Sequence, residues 1–237
     1  VFNSFNREMA LALQSALDEC AANAAVRAIV LTGEGKAFCA GQDLAEVSGP
    51  VNPGFKTILA EHYNPIVSRI RSIEKPVIAA VNGVAAGAGA NIALCCDIVI
   101  ASESVSFIQA FSKIGLIPDS GGTFFLPRLI GFQKASALMM LGDKVSAAEA
   151  ERMGMLYKVF PDAEFNAAAK ALAEQVAAMP TFGLAQTKKA LNEAMNNTFD
   201  AQLGLEEKLQ IEAGSSNDYR EGVTAFMEKR KPIFKGN

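Results

Sequence analysis

Three short stretches hold the groups that could do chemistry. Ala40-Gly41-Gln42 and Ala85-Ala86-Gly87-Ala88-Gly89-Ala90 offer main chain with almost no side chain in front of it, and Asp119 stands between Pro118 and a Ser120-Gly121-Gly122 turn. A glycine-rich turn that opens a helix aims unpaired N–H groups at whatever lies before it. Two such turns that converge could each give one N–H to an acyl oxygen as it turns negative. Donors of this kind are fixed before the reaction and shielded from water, and losing one costs on the order of 10²- to 10³-fold in rate. The same residues would equally serve as packing corners where backbones approach closely. Asp119 also has two readings. It can cap the helix that follows it. Or it can be a carboxylate in an apolar pocket framed by Phe111, Ile114, Leu116 and Phe124, where desolvation would raise its pKa toward a range useful for moving protons. Asp43, after the first turn, is as readily structural, and Glu103 sits in a polar turn and reads as solvated.

Other chemistries find little support. No Ser or Cys occupies a G-x-S-x-G or comparable setting. Gly33-x-Gly35 follows a strand and Gly87-x-Gly89 nearly does, but neither completes the dinucleotide fingerprint, and Phe38 stands where the third glycine belongs. The one histidine, His62, and the lack of H-E-x-x-H spacing argue against a protein-ligated zinc site, so no metal is expected. His62 reads as a helix-face residue, with a place on a pocket wall left open. The net charge of −3, from 22 basic and 25 acidic residues, argues against a nucleic-acid protein that works by bulk charge. The run Lys229-Arg230-Lys231 with Lys235 reads as a solvated tail that could also meet phosphates. Cys20, Cys39, Cys95 and Cys96 form no C-x-x-C pair, and the adjacent two read as small core residues, so a reducing cytoplasm is the simplest compartment. No uninterrupted apolar stretch reaches membrane-spanning length. No signal peptide is visible, although the chain opens mid-pattern at Val1, so a leader could have been removed.

The elements that must position these groups alternate. Asn3-Ser4 is placed to cap a helix over 4–22, whose core face is Phe5, Met9, Leu13, Leu17 and Cys20. Arg27 to Thr32 reads as a strand, residues 48–54 as a mobile surface loop, and 55–73 as a helix kinked at Pro65. Val77 to Val81 is a continuous apolar run that suits a strand buried on both faces. A short buried helix from about Gly89 to Leu94 and a strand from Ile98 to Ala101 follow. Asp119 to Gly122 opens another helix, chopped by Pro127 and Gly131. Ser146-Ala147-Ala148-Glu149 is a capping box, and Tyr157 to Phe160 is a short strand. Four helices then complete the chain, near 164–178, 182–195, 199–212 and 220–229. Half of the 237 residues are apolar, enough for a sizeable core. The reading is an α/β core over residues 1–180 and a helical region over 181–237.

Combined motifs carry a resemblance across nearly the whole chain. Phe38-Cys39-Ala40-Gly41-Gln42-Asp43-Leu44, Lys75-Pro76-Val77, Asn82-Gly83-Val84-Ala85-Ala86-Gly87, Asp97-Ile98 and Gly115-x-Ile117-Pro118-x-x-Gly121-Gly122-Thr123 resemble the crotonase (enoyl-CoA hydratase/isomerase) family. The resemblance implies a spiral of β-β-α units and a C-terminal helical part that assembles trimers, often stacked as dimers of trimers. It implies acyl-CoA thioesters as ligands, with no cofactor beyond the coenzyme A of the substrate. Its oxyanion hole would be the N–H groups of Gln42 and Ala88. Ala40, Gly41, Asp43 and Leu44 would lie along coenzyme A, with Gly87, Asn91, Phe111 and Lys229 as further binding residues. The family's opening strand pair has no counterpart ahead of Val1. Hydratases of the family carry two glutamates, at the positions of Asn91 and Phe111 here, so both acids are absent. An acid stands instead at Asp119, as in the family's isomerases. With Asp218-Tyr219-Arg220-Glu221-Gly222 downstream, the chain looks most like the branch that turns the ring epoxide of phenylacetyl-CoA into its oxepin form. A Δ3,Δ2-enoyl-CoA isomerase or hydratase of fatty-acid oxidation is the rival within the family. A non-catalytic member that binds RNA or a protein partner is the rival outside its chemistry.

Overall fold

The computed structural model describes residues 2–48 and 52–237. Its strands are β1 (Ile29–Thr32), β2 (Ala37–Cys39), β3 (Val77–Val81), β4 (Val84–Ala86), β5 (Ile98–Ser102), β6 (Ser106–Ile108), β7 (Lys144–Ser146) and β8 (Lys158–Phe160). They form two sheets of four. One has the order β1-β3-β5-β8 and is parallel throughout; the other has the order β2-β4-β6-β7, antiparallel only where β7 joins β6. The chain therefore places a strand in the first sheet, the next in the second, and then a helical segment. It does this three times, through β1–β2, β3–β4 and β5–β6. That repeat is the expected β-β-α spiral.

The first sheet is covered on both faces, which explains why β3 is apolar at every position. Alternate residues of a strand point to opposite sides. Val77, Ala79 and Val81 join the main core with Ile66, Ile70, Ile92 and Leu126. Ile78 and Ala80 join Ile100 and Phe165 in a smaller cluster under the helix Phe165–Ala177. Three further helices follow, Thr181–Ala194, Phe199–Gly214 and Asn217–Met227.

Local chemistry departs from the sequence reading in two places. The first helix is Arg7–Ala22, and Asn6 caps it by accepting from the Met9 N–H at 2.9 Å. Asn3 instead donates to the carbonyls of Glu34 and Ala37, pinning the β1–β2 turn. The long helix after β2 is interrupted ahead of Pro65: Gly54–Thr57 is α, Ile58–Tyr63 is one π-helical turn, and Asn64–Ser72 is α again. Pro65 occupies the first turn of that last piece, where a missing N–H is harmless. Of the 48–54 loop, residues 49–51 lie outside the described residues.

Candidate active site

The two glycine-rich turns meet. A Cβ on Gly41 would lie 3.1 Å from the Ala86 carbonyl oxygen and 3.5 Å from the Ala88 nitrogen, so the Ala40–Gln42 turn rests against the start of the helix Ala88–Leu94. The Phe5 N–H donates to Gly41 O at 2.7 Å, and the Asp43 N–H donates to Phe5 O at 2.8 Å. In such a parallel bridge, the residue between the two bonded groups turns its own N–H to the opposite side. Gln42 N–H thus faces away from Phe5. Ala88 is the first residue of its helix, so its N–H has no intrahelical acceptor. Both donors are available at one place.

That place is a cavity of about 510 Å³. Of the residues singled out from sequence, Ala40, Gly41, Gln42, Leu44, Gly87, Ala88, Phe111 and Asp119 line it. Ile114 and Leu116 line it as expected, and Phe124 does not; its ring lies 3.7 Å from the Arg128 guanidinium instead. Three binding expectations fall outside the wall. Asp43 turns its carboxylate to the Ala45 N–H at 3.0 Å, capping the short helix Leu44–Ser48. Lys229 follows the last helix and is exposed. Asn91 is fully buried behind the wall, donating to the Asp119 carbonyl at 2.9 Å and accepting from Gln109 Nε2 at 2.8 Å. Both ends of its amide are engaged, so it braces the Asp119 turn where a ligand contact was expected. His62 is buried, with no hydrogen-bond partner for either ring nitrogen among the described residues, and it does not line the cavity.

Asp119 is not a cap. The helix Gly122–Ile130 has Gly121 at its N-cap, and among the described residues it has no side-chain cap hydrogen bond. The Asp119 main-chain carbonyl accepts from the Gly122 N–H at 2.8 Å and from Asn91, which fixes the turn. The carboxylate faces the cavity, with Oδ1 accepting from Ser120 Oγ at 2.9 Å. Burial raises its pKa above the ordinary carboxylate value, and the Ser120 hydroxyl partly opposes that rise. Among the described residues it is the one carboxylate on the wall.

Tyr63 went unnoticed in the sequence. Its ring is buried, and its hydroxyl donates to Gln42 Oε1 at 2.9 Å, while Gln42 Nε2 donates to Glu46 Oε2 at 2.7 Å. Burial first, and then the nearby Asp119 charge, push the phenol well above its usual range, so it is a neutral donor that holds the Gln42 side chain. The π-helical turn hid it, because an extra residue shifts the phase on which a helical face is read. Cys39, under the first turn, is pushed up to about 11 by burial and is an inert thiol.

The assembled parts are two main-chain N–H groups, of Gln42 and Ala88, and one carboxylate of raised pKa, Asp119, on the wall of one largely apolar cavity. That set suits an acyl thioester whose neighbouring carbon is to lose and regain a proton. Comparison with known proteins agrees. The enoyl-CoA hydratase/isomerase family model matches residues 1–237. The chain is 49% identical over 238 residues to the 1,2-epoxyphenylacetyl-CoA isomerase of Escherichia coli, covering 99% of this chain and 90% of that one. It is 47% identical to a probable enoyl-CoA hydratase of Rhodobacter capsulatus, covering 100% and 91%. The crystal structure of an enoyl-CoA hydratase from Bacillus anthracis superposes with a TM-score of 0.92 at 33% identity, covering 99% and 91%. The chain belongs to the enoyl-CoA hydratase/isomerase, or crotonase, family, and is an enzyme of acyl-CoA thioesters with that family's fold.

Proposed function

We propose that this enzyme is an isomerase, and that its substrate is 2-(1,2-epoxy-1,2-dihydrophenyl)acetyl-CoA, converted to the oxepin form. The observation that carries the reading is the lone carboxylate. Asp119 stands in the cavity with the paired amides, while the positions of the two hydratase acids hold Asn91, already engaged with Gln109 and Asp119, and Phe111, part of the apolar wall. Water addition needs one group to position water and another to deliver the proton. A proton shift needs one group that takes a proton and gives it back. Phe55, Tyr63 and Phe111 add aromatic surface to the wall, which suits a ring-bearing acyl group.

In this mechanism the thioester oxygen accepts from the N–H groups of Gln42 and Ala88. The carbon beside the thioester becomes acidic because the enolate charge moves onto that oxygen. Asp119 takes the proton from this carbon and returns it to a carbon further along the conjugated ring system as the epoxide opens to the oxepin. No atom is gained or lost. The Ala40–Leu44 segment would run along the coenzyme A end. The Escherichia coli relative's activity supports this substrate, and the Rhodobacter capsulatus relative's name supports a hydratase.

Asp119→Asn is the direct test. With the fold intact it should abolish epoxide isomerisation and leave acyl-CoA binding in place; undiminished turnover would refute the role. Offering the parent enzyme the epoxide, a 3-enoyl-CoA and a 2-enoyl-CoA side by side separates the readings. Efficient hydration of the 2-enoyl-CoA would favour the hydratase.

A further inference from the structure

Four non-glycine residues among those described have positive φ: Phe2, Asn3, Ser120 and Lys229. Of these, only Ser120 is buried, at 2% exposure. Its φ is +51° and that of Gly121 is +75°, and the Gly122 N–H closes the turn on Asp119 O at 2.8 Å. Two central residues at positive φ make a turn of type I′, which favours Gly, Asn or Asp at both places. A serine there keeps an unfavourable backbone that glycine would relieve. Such an outlier points to a function when its side chain has one. Here the hydroxyl donates to Asp119 Oδ1 at 2.9 Å.

We propose that Ser120 is a positioning residue for the Asp119 base: the left-handed turn brings its hydroxyl onto Oδ1, so that the carboxylate is held in the rotamer that faces the substrate carbon. The inference rests on the isomerase reading of Asp119. The surroundings are consistent with it. The turn's main chain is held separately, by Gly122 and by Asn91, so the serine hydroxyl is not needed to close it. Without the hydroxyl, the Asp119 carboxylate keeps its own main-chain N–H as a donor but loses the Ser120 side-chain bond, the larger of the two hydrogen-bond effects on it, and its torsion is held less firmly toward the cavity. A hydrogen bond made to the charged carboxylate also favours that form, so removing it should move the base's titration upward. Among the described residues, the other titratable groups facing the cavity are Tyr63 and Lys113, with Glu46 behind Gln42 and Cys39 under the first turn, and none of them is hydrogen-bonded to Ser120.

The test is Ser120→Gly beside Ser120→Ala. Glycine relieves the backbone while deleting the hydroxyl, so a loss of activity in this variant cannot be blamed on a strained or unfolded turn. Both variants should lower kcat on the order of tenfold with KM little changed, because a misplaced base costs rate more than binding. In both, the acid limb of the kcat/KM profile should move to higher pH. Unchanged kcat in Ser120→Gly would overturn the proposal, and so would a lowered kcat with an unmoved limb, which is the signature of a merely structural residue. Asp119→Asn run in parallel keeps the two readings apart. If it stays active, the base assignment fails; if it is dead while Ser120→Gly behaves as the parent, only the role of Ser120 fails.

Discussion

A base must be uncomfortable to be useful, and Asp119, the proposed base, meets that condition at the level of one side chain. Its desolvated carboxylate has a raised pKa in the folded protein. The folded state therefore binds this proton more tightly than the unfolded chain does. Stability linked to Asp119 is greatest below the ordinary carboxylate pKa, and is lost as pH rises from there through the raised value. At neutral pH the charged Asp119 is a net liability to the fold. Asp119→Asn, which keeps the size and removes the charge, should unfold at a higher temperature than the parent at pH 7. The gap should close as the pH falls through the raised value to below the ordinary carboxylate pKa, where the parent's carboxyl is also neutral. Thermal unfolding of both proteins across that range measures it. A variant less stable at pH 7 would mean that the charge is satisfied in the fold by partners stronger than the Ser120 hydroxyl.

At the scale of elements, the site depends on how closely the helix Ala88–Leu94 approaches β2. A Cβ on Gly89 would lie 2.5 Å from the Cys39 carbonyl oxygen and 2.6 Å from the Cys39 Cβ, and these atoms cannot swing aside. Gly89→Ala should cost about 1 to 3 kcal/mol, read by chemical denaturation. It should also lower kcat, because the helix carries the Ala88 N–H away from Gln42. An equally active variant would show that the spacing of the two amides is looser than the geometry implies. The elements that make this contact were unequally legible. Val77 to Val81 announces itself, since five apolar residues in a row fit a strand covered on both faces. The second sheet does not, because β2, β4, β6 and β7 are three residues each, too short for an alternating pattern to register. Gln42 and Ala88 could be named only through motif resemblance; backbone donors have no side-chain signature. Asp119 was visible as an acid in an apolar stretch, yet only coordinates distinguish a cap from a base. Tyr63 and Ser120 depend on a π-turn and a left-handed residue, neither of which leaves a periodic trace.

Across the whole molecule, the C-terminal helices are anchored to the core by polar contacts but leave much apolar surface uncovered. Lys188, nearly buried, meets Asp97 at 2.8 Å and the Ile70 carbonyl at 2.6 Å. Arg27 donates to Thr181 Oγ1 and to the Phe234 carbonyl, tying both ends of this region to β1's edge of the fold. Yet Phe199 is 76% exposed, Phe226 is 82% exposed, and Leu191 and Ile211 stand out to solvent on the same set of helices. Apolar side chains this large, exposed on three successive helices, are the kind of surface that partners cover. The expectation of a trimer came from family resemblance, and a threefold assembly over these helices is our proposal for what covers them. Sedimentation of the purified chain at micromolar concentration should give three chains or a multiple of three. Phe226→Glu with Phe199→Glu should shift the population toward single chains, while the cavity residues, which lie on other elements, keep their arrangement. A parent that sediments as a monomer would leave that face to some other partner. A double variant that still sediments as the parent does would place the contact elsewhere.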